Sequence, residues 1–494
     1  MIVLDGSSLT VDEISRAATG EEPVELTVGA RDATAHAHER ALAITRPVYG
    51  RTTGVGGNRL IPLEDSDTDL SGPFDPALAL LRSHASSSGE LRSRERVRAM
   101  LVVRLNQLAA GGSGVNPAIL DGLLDMIGHD ALPPVRELGG VGTGDLPALA
   151  TTALTLVGEI PASRGLARVV PVGISDALPL LSSNAATIGD AALALGALQP
   201  LARAAVRIAA ATFVAAGGNH EAFSVAVENV TPFAGARSVC QTMRALTASA
   251  PPGRRIQDPF ALRAMPQVHG PLLDTLAALK DVVTLLANAP SENPTFQLGY
   301  DVVHHGGFHI AYLGQALDSA RLALAQAAQL STARISTLCS PDITGLPAFL
   351  ADTRPGASGV MVVEYVTASA LGTLRMLATP SGLQTVSLSH GLEEDASFAS
   401  LAAKQTLDAV AAYRSVLAGE LLVALRALRM HGATPPELAP MIEACSGLGT
   451  SVADRDLTAD LLLAEHVLAE CVTGDGAFGF APARRTSPLR RGWR

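Results

Sequence analysis

The chain is poor in aromatic and charged residues. Aromatic residues make up 3% of its 494 residues, with a single Trp, and charged residues make up 17%. Hydrophobic residues nevertheless reach 48%, and most of them are Ala, Leu and Val. Because Ala and Leu are strong helix formers, the composition predicts an all-α or mainly α protein. The length is sufficient for two or three ordinary domains or for one large enzyme subunit.

Basic charge, cysteine and long uncharged apolar runs are also scarce. The formal net charge of -10 argues against a general nucleic-acid binder, which presents a basic surface. The four cysteines lie far apart without C-x-x-C spacing and indicate neither a disulfide framework nor a zinc site. No run reaches the roughly 18 uncharged residues of a membrane span, and "MIVLDGSSLTVDEIS" lacks the features of a signal peptide. We therefore expect a cytoplasmic protein that binds neither nucleic acids nor membranes.

The distribution of Gly and Pro residues divides the chain into three predicted parts. Residues 1–195 mix short helices with loops, and "MIVLDG" and "RVVPVG" are either short strands or extended loops. Residues 196–480 form a bundle of long helices, because apolar residues recur at helical spacing over 195–216, 311–335, 400–432 and 456–474. Helices that are apolar nearly all round must bury most of their surface, so neighbouring subunits are expected to complete the bundle. We predict that the basic tail, residues 481–494, is disordered or lies along the surface.

One segment combines four glycines with a threonine, "RELGGVGTGDLPALA" at residues 136–150. Glycines permit backbone conformations that are closed to other residues. Taken alone, Thr143 is an ordinary turn residue and Asp145 is the N-cap of a following helix. A phosphate-binding loop is the rival interpretation, but the lysine that should follow the glycines is absent.

Further stretches occur in a fixed order along the chain. They are "VYGRTTGVGGN", "LLRSHASSSG", "QDPFALRAMPQVHG", "ENPTF", "HHGGFHIAYLGQALD", "GASGVMVVEYVTASAL" and "HGLEEDASFASLAA". Together with the glycine-rich segment they resemble the aromatic amino acid ammonia-lyase and aminomutase family, which includes histidine, phenylalanine and tyrosine ammonia-lyases. The resemblance covers roughly residues 10 to 480, and the ordered set is far more specific than any single stretch.

This resemblance implies a fold, an assembly and a cofactor. Members of the family are mainly helical homotetramers in which three subunits build each active site. Their electrophile is methylidene-imidazolone (MIO), which forms when an Ala-Ser-Gly tripeptide cyclises. The glycine nitrogen attacks the alanine carbonyl and the serine loses water. A glycine-rich loop suits this reaction, because the attack requires an unusually tight backbone.

The chain departs from the family at this tripeptide, which reads Gly142-Thr143-Gly144. Ring closure between the Gly144 nitrogen and the Gly142 carbonyl is one outcome, and dehydration of Thr143 would then leave an ethylidene carbon. The added methyl group would crowd that carbon and reduce its electrophilicity. The other outcome, which we favour, is an uncyclised threonine, and we expect no separately bound cofactor.

Three other positions of the family pattern differ. The family asparagine that hydrogen-bonds the MIO oxygen aligns with Ser182, and the register argues against Asn184, two residues further on, as its substitute. A family tyrosine aligns with Phe260, and the asparagine of the family's Gly-Asn-Phe-His aligns with Gly307. Loss of buried polar groups together with their partner is coherent, because an unpaired buried group costs about 1–3 kcal/mol.

The remaining matches assign roles by resemblance. Tyr49 aligns with the catalytic base of a mobile loop, Arg263 with the arginine that binds the substrate carboxylate, and Glu393 with a glutamate near the substrate amine. The other residues expected to line the substrate pocket are His84, Ser182, Phe260 and Phe308. Each has a structural alternative, such as an ion pair for Arg263 or a packed loop aromatic for Tyr49. We expect no metal, although two histidines are adjacent in "HHGGFH".

Three functions remain open. The first is a carbon–nitrogen lyase of this family, acting by elimination or addition on an amino acid or amine-bearing small molecule, with Gly142, Thr143 and Gly144 in its catalytic set. The second is an enzyme on the same scaffold without MIO, of lyase or cyclase type, in specialised metabolism. The third is a non-catalytic scaffold homologue. Retention of Tyr49 and Arg263 favours an enzyme.

Overall fold

Helices dominate the computed structural model of the protein, which describes residues 1–63, 75–296, 299–432 and 434–473. About 61% of the chain is helical, so the prediction of a mainly α fold is confirmed. The basic tail, residues 481–494, lies outside the described residues. In chain order the α-helices are α1 (Val11–Thr19), α2 (Val28–Leu42), α3 (Pro76–His84), α4 (Arg94–Ala109), α5 (Pro117–His129), α6 (Leu146–Leu156), α7 (Ile174–Leu181), α8 (Ala185–Ala216), α9 (Val225–Val230), α10 (Ala234–Leu246), α11 (Phe260–Arg263), α12 (Met265–Ala287), α13 (Ala311–Leu338), α14 (Pro341–Thr344), α15 (Met361–Leu377), α16 (Ala399–His431), α17 (Ala439–Ala444) and α18 (Thr458–Thr473).

The long helices match the segments that the apolar spacing predicts. The segments expected at 195–216, 311–335, 400–432 and 456–474 correspond to α8, α13, α16 and α18. Two of these helices end at glycines that adopt the left-handed conformation, Gly217 after α8 (φ 62°) and Gly432 after α16 (φ 69°). Glycine is the usual residue there because it has no side chain to clash with the preceding turn.

Two short sheets accompany the helices. β1 (Ile2–Leu4) pairs in parallel with β2 (Val24–Leu26), so "MIVLDG" does contain a strand. β3 (Ser88–Leu91) pairs antiparallel with β4 (Arg136–Leu138). In contrast, "RVVPVG" forms no strand. β4 leads directly into the glycine-rich segment, so this pairing anchors the beginning of that segment.

The chain divides into two compact units, and each is discontinuous in sequence. The first comprises Met1–Leu198, Asp274–Ala325 and Thr373–Ala411, and the second comprises Gln199–Leu273, Gln326–Gly372 and Ala412–Arg494. The first break falls three residues after the predicted boundary at 195, but both units also take in later segments. A division into the consecutive segments 1–195 and 196–480 does not describe this arrangement. Several of the breaks fall inside long helices.

Among the residues that the structure describes, one helical stretch is long and apolar enough to cross a membrane by length and composition. It is Ile174–Ala216, which contains α7 and α8, with a mean hydropathy of 1.2 over its best 18-residue window. Because 72% of that window is buried within the protein, this stretch also has the character of a core helix.

Candidate active site

A cavity of about 810 Å³ lies in the first unit. Its walls are contributed by sequence stretches that are far apart along the chain, including the turn after α2, the end of α3, the glycine-rich segment, the end of α7 and the loop before α16. The predicted site residues that line it are Tyr49, His84, Thr143, Ser182, Phe308 and Glu393. The structure therefore brings together most of the residues that the resemblance selected.

Tyr49 occupies a turn that its neighbours hold in place. Val48 is buried in a small apolar cluster with Phe296 and Val302. Gly50 has a φ of 72°, and a Cβ atom there would lie 2.2 Å from Leu178 Cδ2. An anchored valine on one side and an obligatory glycine on the other thus direct the tyrosine ring toward the cavity that it lines.

Opposing influences act on the Tyr49 hydroxyl group. Burial raises its pKa above the usual value, and the carboxyl group of Glu393 raises it further. The Gly56 backbone N–H donates a hydrogen bond to the Tyr49 oxygen at 2.7 Å, and this bond and the positive charge of Arg59 both lower the pKa. The net effect is a raised pKa, so Tyr49 is a protonated phenol at neutral pH in this chain.

The end of α3 holds the His84 ring in place. Its Nδ1 atom lies 2.9 Å from the carbonyl oxygen of Leu80 and 3.0 Å from the hydroxyl oxygen of Ser83. A carbonyl oxygen only accepts hydrogen bonds, so Nδ1 donates to Leu80 and this contact fixes the orientation of the ring. His84 lines the cavity in this orientation.

His304 is a cavity residue that the sequence reasoning did not place in the site. Its Nε2 atom accepts a hydrogen bond from the Tyr49 backbone N–H at 3.2 Å, and the two rings meet edge to face at 6.5 Å. Burial lowers the pKa of His304 below its usual value, with smaller contributions from Arg46 and His305. The ring is therefore neutral and supports the Tyr49 turn. Within the described ranges, no group of three or more His, Cys, Asp or Glu side chains has an arrangement that could hold a metal ion.

The glycine-rich segment is fastened on one side to the start of α16. The carbonyl oxygens of residues 140, 141 and 142 accept hydrogen bonds at 2.8 Å from Ser400 Oγ, the Phe398 backbone nitrogen and Ser397 Oγ, respectively. Three consecutive carbonyls are thus satisfied by one short stretch of chain. This pairing fixes the backbone immediately before Thr143.

On its other side the segment is fastened to the start of α8. The Gly144 backbone N–H donates to Asn184 Oδ1 at 3.0 Å, and Asn184 Nδ2 donates to the Phe308 carbonyl at 2.6 Å. Asn184, against which the register argues as a substitute for the family asparagine, nevertheless contacts the tripeptide, at the Gly144 N–H. Ser182 instead accepts a hydrogen bond from the Asn293 backbone N–H at 2.9 Å.

Asp145 holds the N-cap position of α6 but does not act as a side-chain cap. Its two carboxyl oxygens accept hydrogen bonds from the backbone N–H and the hydroxyl group of Thr187, at 2.8 Å and 2.9 Å. Burial raises the pKa of this carboxyl group. Asp145 therefore ties the end of the glycine-rich segment to α8, which differs from the N-cap role that the sequence suggested.

A strained loop carries Glu393 to the cavity. Ser389 and His390 have φ values of 56° and 57°. Residues other than glycine rarely adopt this backbone conformation. The Gly57 backbone N–H donates to Ser389 Oγ at 2.7 Å, which joins this loop to the one that follows Tyr49. Glu393 Oε2 then lies 3.5 Å from Thr143 Oγ1. Such strain is often found at functional sites.

Comparison with known proteins identifies the family of this chain. The model of the aromatic amino acid lyase family matches residues 9–447. The histidine ammonia-lyase of Geobacillus thermodenitrificans (strain NG80-2) is 32% identical over 455 residues, which cover 87% of this chain and 89% of that enzyme. The histidine ammonia-lyase of Symbiobacterium thermophilum is 33% identical over 497 residues, 94% of this chain and 96% of that enzyme. This chain belongs to the aromatic amino acid lyase family.

Solved structures support the same assignment for the fold of this lyase. Tyrosine aminomutase from Streptomyces globisporus superposes with a TM-score of 0.86 at 25% identity, covering 95% of this chain and 97% of that one. Phenylalanine aminomutase from Pantoea agglomerans has a TM-score of 0.88 at 22% identity, and the match covers 96% of this chain and 100% of that one. By family, the protein is a carbon–nitrogen lyase.

Four predicted site residues of this lyase are not among those that line the Tyr49 cavity. Gly142 and Gly144 flank Thr143 in the tripeptide, whereas Phe260 and Arg263 lie elsewhere. Phe260 and Arg263 belong to the second unit, where they line a separate cavity of about 570 Å³. Arg263 Nε donates to the Asp258 carbonyl at 2.8 Å, and its guanidinium carbon lies 4.4 Å from the centre of the Phe260 ring. The Phe260 side chain is 68% exposed. Within one chain, the proposed carboxylate clamp and the proposed base are therefore in different cavities.

Proposed function

We propose that this protein eliminates an amine from, or adds one to, an amino acid or related amine-bearing small molecule in the Tyr49 cavity. The observation that carries this proposal is the common location of six residues chosen from widely separated sequence stretches. A volume of about 810 Å³ is within the range of small-molecule sites. A cytoplasmic location and a place in specialised metabolism stay predictions.

The cavity offers distinct surfaces to the two ends of such a substrate. Leu146, Leu178 and Phe308 form apolar parts of the wall, which suit a hydrocarbon or aromatic group. Glu393 offers a carboxyl group beside Thr143, which suits a cationic amine. We assign Glu393 to the amine and the apolar wall to the remainder of the substrate.

Tyr49 is the proposed acid and base. The Gly56 N–H that donates to its oxygen stabilises the phenolate form, and a phenolate can accept a proton from carbon. Because burial raises the Tyr49 pKa, the fraction of phenolate is small at neutral pH and increases with pH. We therefore expect turnover to rise toward alkaline pH, until the enzyme unfolds or the amine of the substrate loses its proton.

Arg263 is proposed to bind the substrate carboxylate in a cavity of a neighbouring protomer. This assignment requires a homo-oligomer, and the family resemblance implies a tetramer. The planar guanidinium group suits bidentate binding of a carboxylate. The support for this step is the position of Arg263 outside the Tyr49 cavity of its own chain, on a surface with the exposed Phe260.

The test measures amine release from histidine, tyrosine, phenylalanine and their 3-amino isomers. We expect at least one of these compounds to react with the wild-type protein and the Tyr49→Phe variant to lose about 100-fold or more in kcat. Tyr365→Phe is the matched control, because Tyr365 is an exposed tyrosine of α15 outside the cavity. Full turnover by Tyr49→Phe would remove the proposed base. Failure of the folded protein to release amine from any compound would overturn the proposed function.

A further inference from the structure

The electrophile that the family implies would have to form from residues 142–144, and the surroundings of these residues do not fit it. The first conflict is at Gly142, which has a φ of 86°. A Cβ atom at this position would lie 2.1 Å from Ser397 Oγ and 2.9 Å from the backbone nitrogens of Phe398 and Ala399. The alanine that begins the family tripeptide therefore has no space here. Ring closure would also expel the Gly142 oxygen, which is the acceptor for Ser397 Oγ.

The second conflict is at Gly144. Ring closure would replace its backbone N–H by a ring nitrogen without a hydrogen atom. That hydrogen is the one donated to Asn184 Oδ1, and Asn184 is 1% exposed. The other end of the amide is already bonded to the Phe308 carbonyl. A ring would therefore leave the buried Asn184 oxygen without this donor, which is unfavourable.

The third conflict is at Thr143. Its hydroxyl group lies 3.5 Å from Glu393 Oε2. Dehydration would remove this polar contact and leave an unsaturated carbon that carries a methyl group beside the carboxyl group. The open chain keeps the hydroxyl group as a hydrogen-bond donor on the cavity wall.

We propose that residues 142–144 remain an open chain, held by Ser397 and Asn184, and that the cavity takes substrates that supply their own electron sink. The substrate class is a 3-amino carbonyl compound, in which the carbon that loses a proton is next to the carbonyl group and the nitrogen is on the following carbon. This inference rests on the proposed function, because it uses Tyr49 as the base and Glu393 as the partner of the amine.

The chemistry of this step balances without a cofactor. The Tyr49 phenolate takes the proton from the carbon next to the carbonyl group. The electron pair of that C–H bond forms the new C=C bond, and the C–N bond breaks with its electron pair on nitrogen, so that an ammonium group leaves as a neutral amine. The products are an α,β-unsaturated carbonyl compound, the amine and the Tyr49 phenol, which returns its proton to solvent. The carbonyl group is required because it delocalises the charge that develops on carbon.

The first arm of the experiment is mass spectrometry of the purified protein. Trypsin releases residues 137–164, which contain the tripeptide and no internal Lys or Arg. We expect the unmodified mass, whereas a ring would lower it by two water molecules and overturn the inference. The double variant Gly142→Ala/Thr143→Ser restores the Ala-Ser-Gly tripeptide of the family. Its peptide is also expected to have the mass of the unmodified sequence. Loss of two waters in this variant would show that Ser397 and Asn184 do not hold the loop open, which also overturns the inference.

The second arm compares 3-amino carbonyl compounds with 2-amino acids in D₂O. We expect amine release from the 3-amino compounds, with deuterium entering the carbon next to the carbonyl group of recovered substrate, and loss of both in Tyr49→Phe. Turnover restricted to 2-amino acids would overturn the substrate assignment while the Tyr49 lyase survives. Absence of any Tyr49-dependent turnover would instead overturn the proposed function. Thermal unfolding of each variant establishes that it is folded.

Discussion

Gly142 occupies a position where no larger residue fits. Ala at 142 would strain a backbone with φ at 86° and bring its Cβ to 2.1 Å from Ser397 Oγ. We expect Gly142→Ala to destabilise the protein by about 2–4 kcal/mol, from the left-handed backbone and from overpacking. Thermal unfolding provides the measurement, and a Ser397→Ala background should reduce the penalty because it removes the nearest clashing atom.

Gly128 provides the matched control for this substitution. It lies in α5, and a Cβ atom there would meet nothing within 4 Å. Gly128→Ala should be neutral or should stabilise by about 0.5–1 kcal/mol, because Ala is the better helix former. If both substitutions change the melting temperature equally, the packing around Gly142 is not what this structure describes.

Single residues of the site differ in how well the sequence predicts them. Tyr49 and Glu393 could be placed because each lies in a stretch with many matching neighbours. The register argues against Asn184 because it counts positions along the chain, whereas the Asn184 amide, immediately before α8, accepts a hydrogen bond from the Gly144 N–H. His304 was considered only as a metal ligand, and nothing in the spacing of "HHGGFH" indicates that one ring supports the Tyr49 turn 255 residues away.

At the scale of elements, the long helices were more predictable than the short strands, of which only β1 was among the runs singled out in the sequence. α8 and α16 are long, strongly periodic and closed by glycines, so their signals are local. β3 is "SGEL" and pairs with residues 136–138, more than 40 positions along the chain. Such a strand carries no alternation, and its stability comes from a partner that local patterns do not identify.

The end of α7 depends on a buried ion pair from α4. Arg104 and Glu292 have side chains that are both 0% exposed and are joined at 2.7 Å, and Arg104 Nε also donates to the Leu180 carbonyl at 3.2 Å. Through this hydrogen bond Arg104 supports the end of α7, from which the chain continues to Ser182 and Asn184. We expect Arg104→Met to destabilise by about 3–5 kcal/mol, because Glu292 would remain buried without its partner.

The control for this pair is the second substitution, Glu292→Gln, in the Arg104→Met background. Removal of the orphaned charge should restore part of the lost stability, as shown by melting temperatures of the two variants. If the double variant melts no higher than Arg104→Met, the loss does not come from the unpaired carboxyl group.

Stability of the whole molecule in acid is expected to depend on His269. This residue is buried in the second unit, and among the described residues neither of its ring nitrogens has a hydrogen-bond partner. Burial, and to a lesser extent Arg334, lowers its pKa well below 6.5. Folding therefore requires the neutral ring. The resulting contribution of His269 to the free energy of unfolding is complete above pH 6.5. It is lost as the pH falls toward the folded-state pKa, with a slope of about 1.4 kcal/mol per pH unit.

The substitution His269→Met should therefore flatten the loss of stability below pH 6.5. Denaturant unfolding between pH 8 and pH 5 measures this, and His466→Gln is the matched control because that side chain is 67% exposed. The control should follow the wild-type curve. Parallel curves for wild type and His269→Met would show that protonation of His269 does not limit acid stability.

The arrangement of the whole assembly can be tested by mixing two inactive variants. Within one chain Tyr49 and Arg263 line different cavities, and the proposed function requires each site to take its base from one protomer and its carboxylate clamp from another. Co-expression of Tyr49→Phe with Arg263→Gln should then create mixed oligomers in which some sites contain both native residues. With random assembly, each of the two residues is native with a chance of about one half, so about a quarter of wild-type turnover should return.

Purification through a different tag on each variant selects the mixed oligomers, and each variant alone serves as the inactive reference. If the mixed oligomers are as inactive as the parents, Tyr49 and Arg263 do not act in one shared site on different chains, and the clamp assigned to Arg263 has to be abandoned.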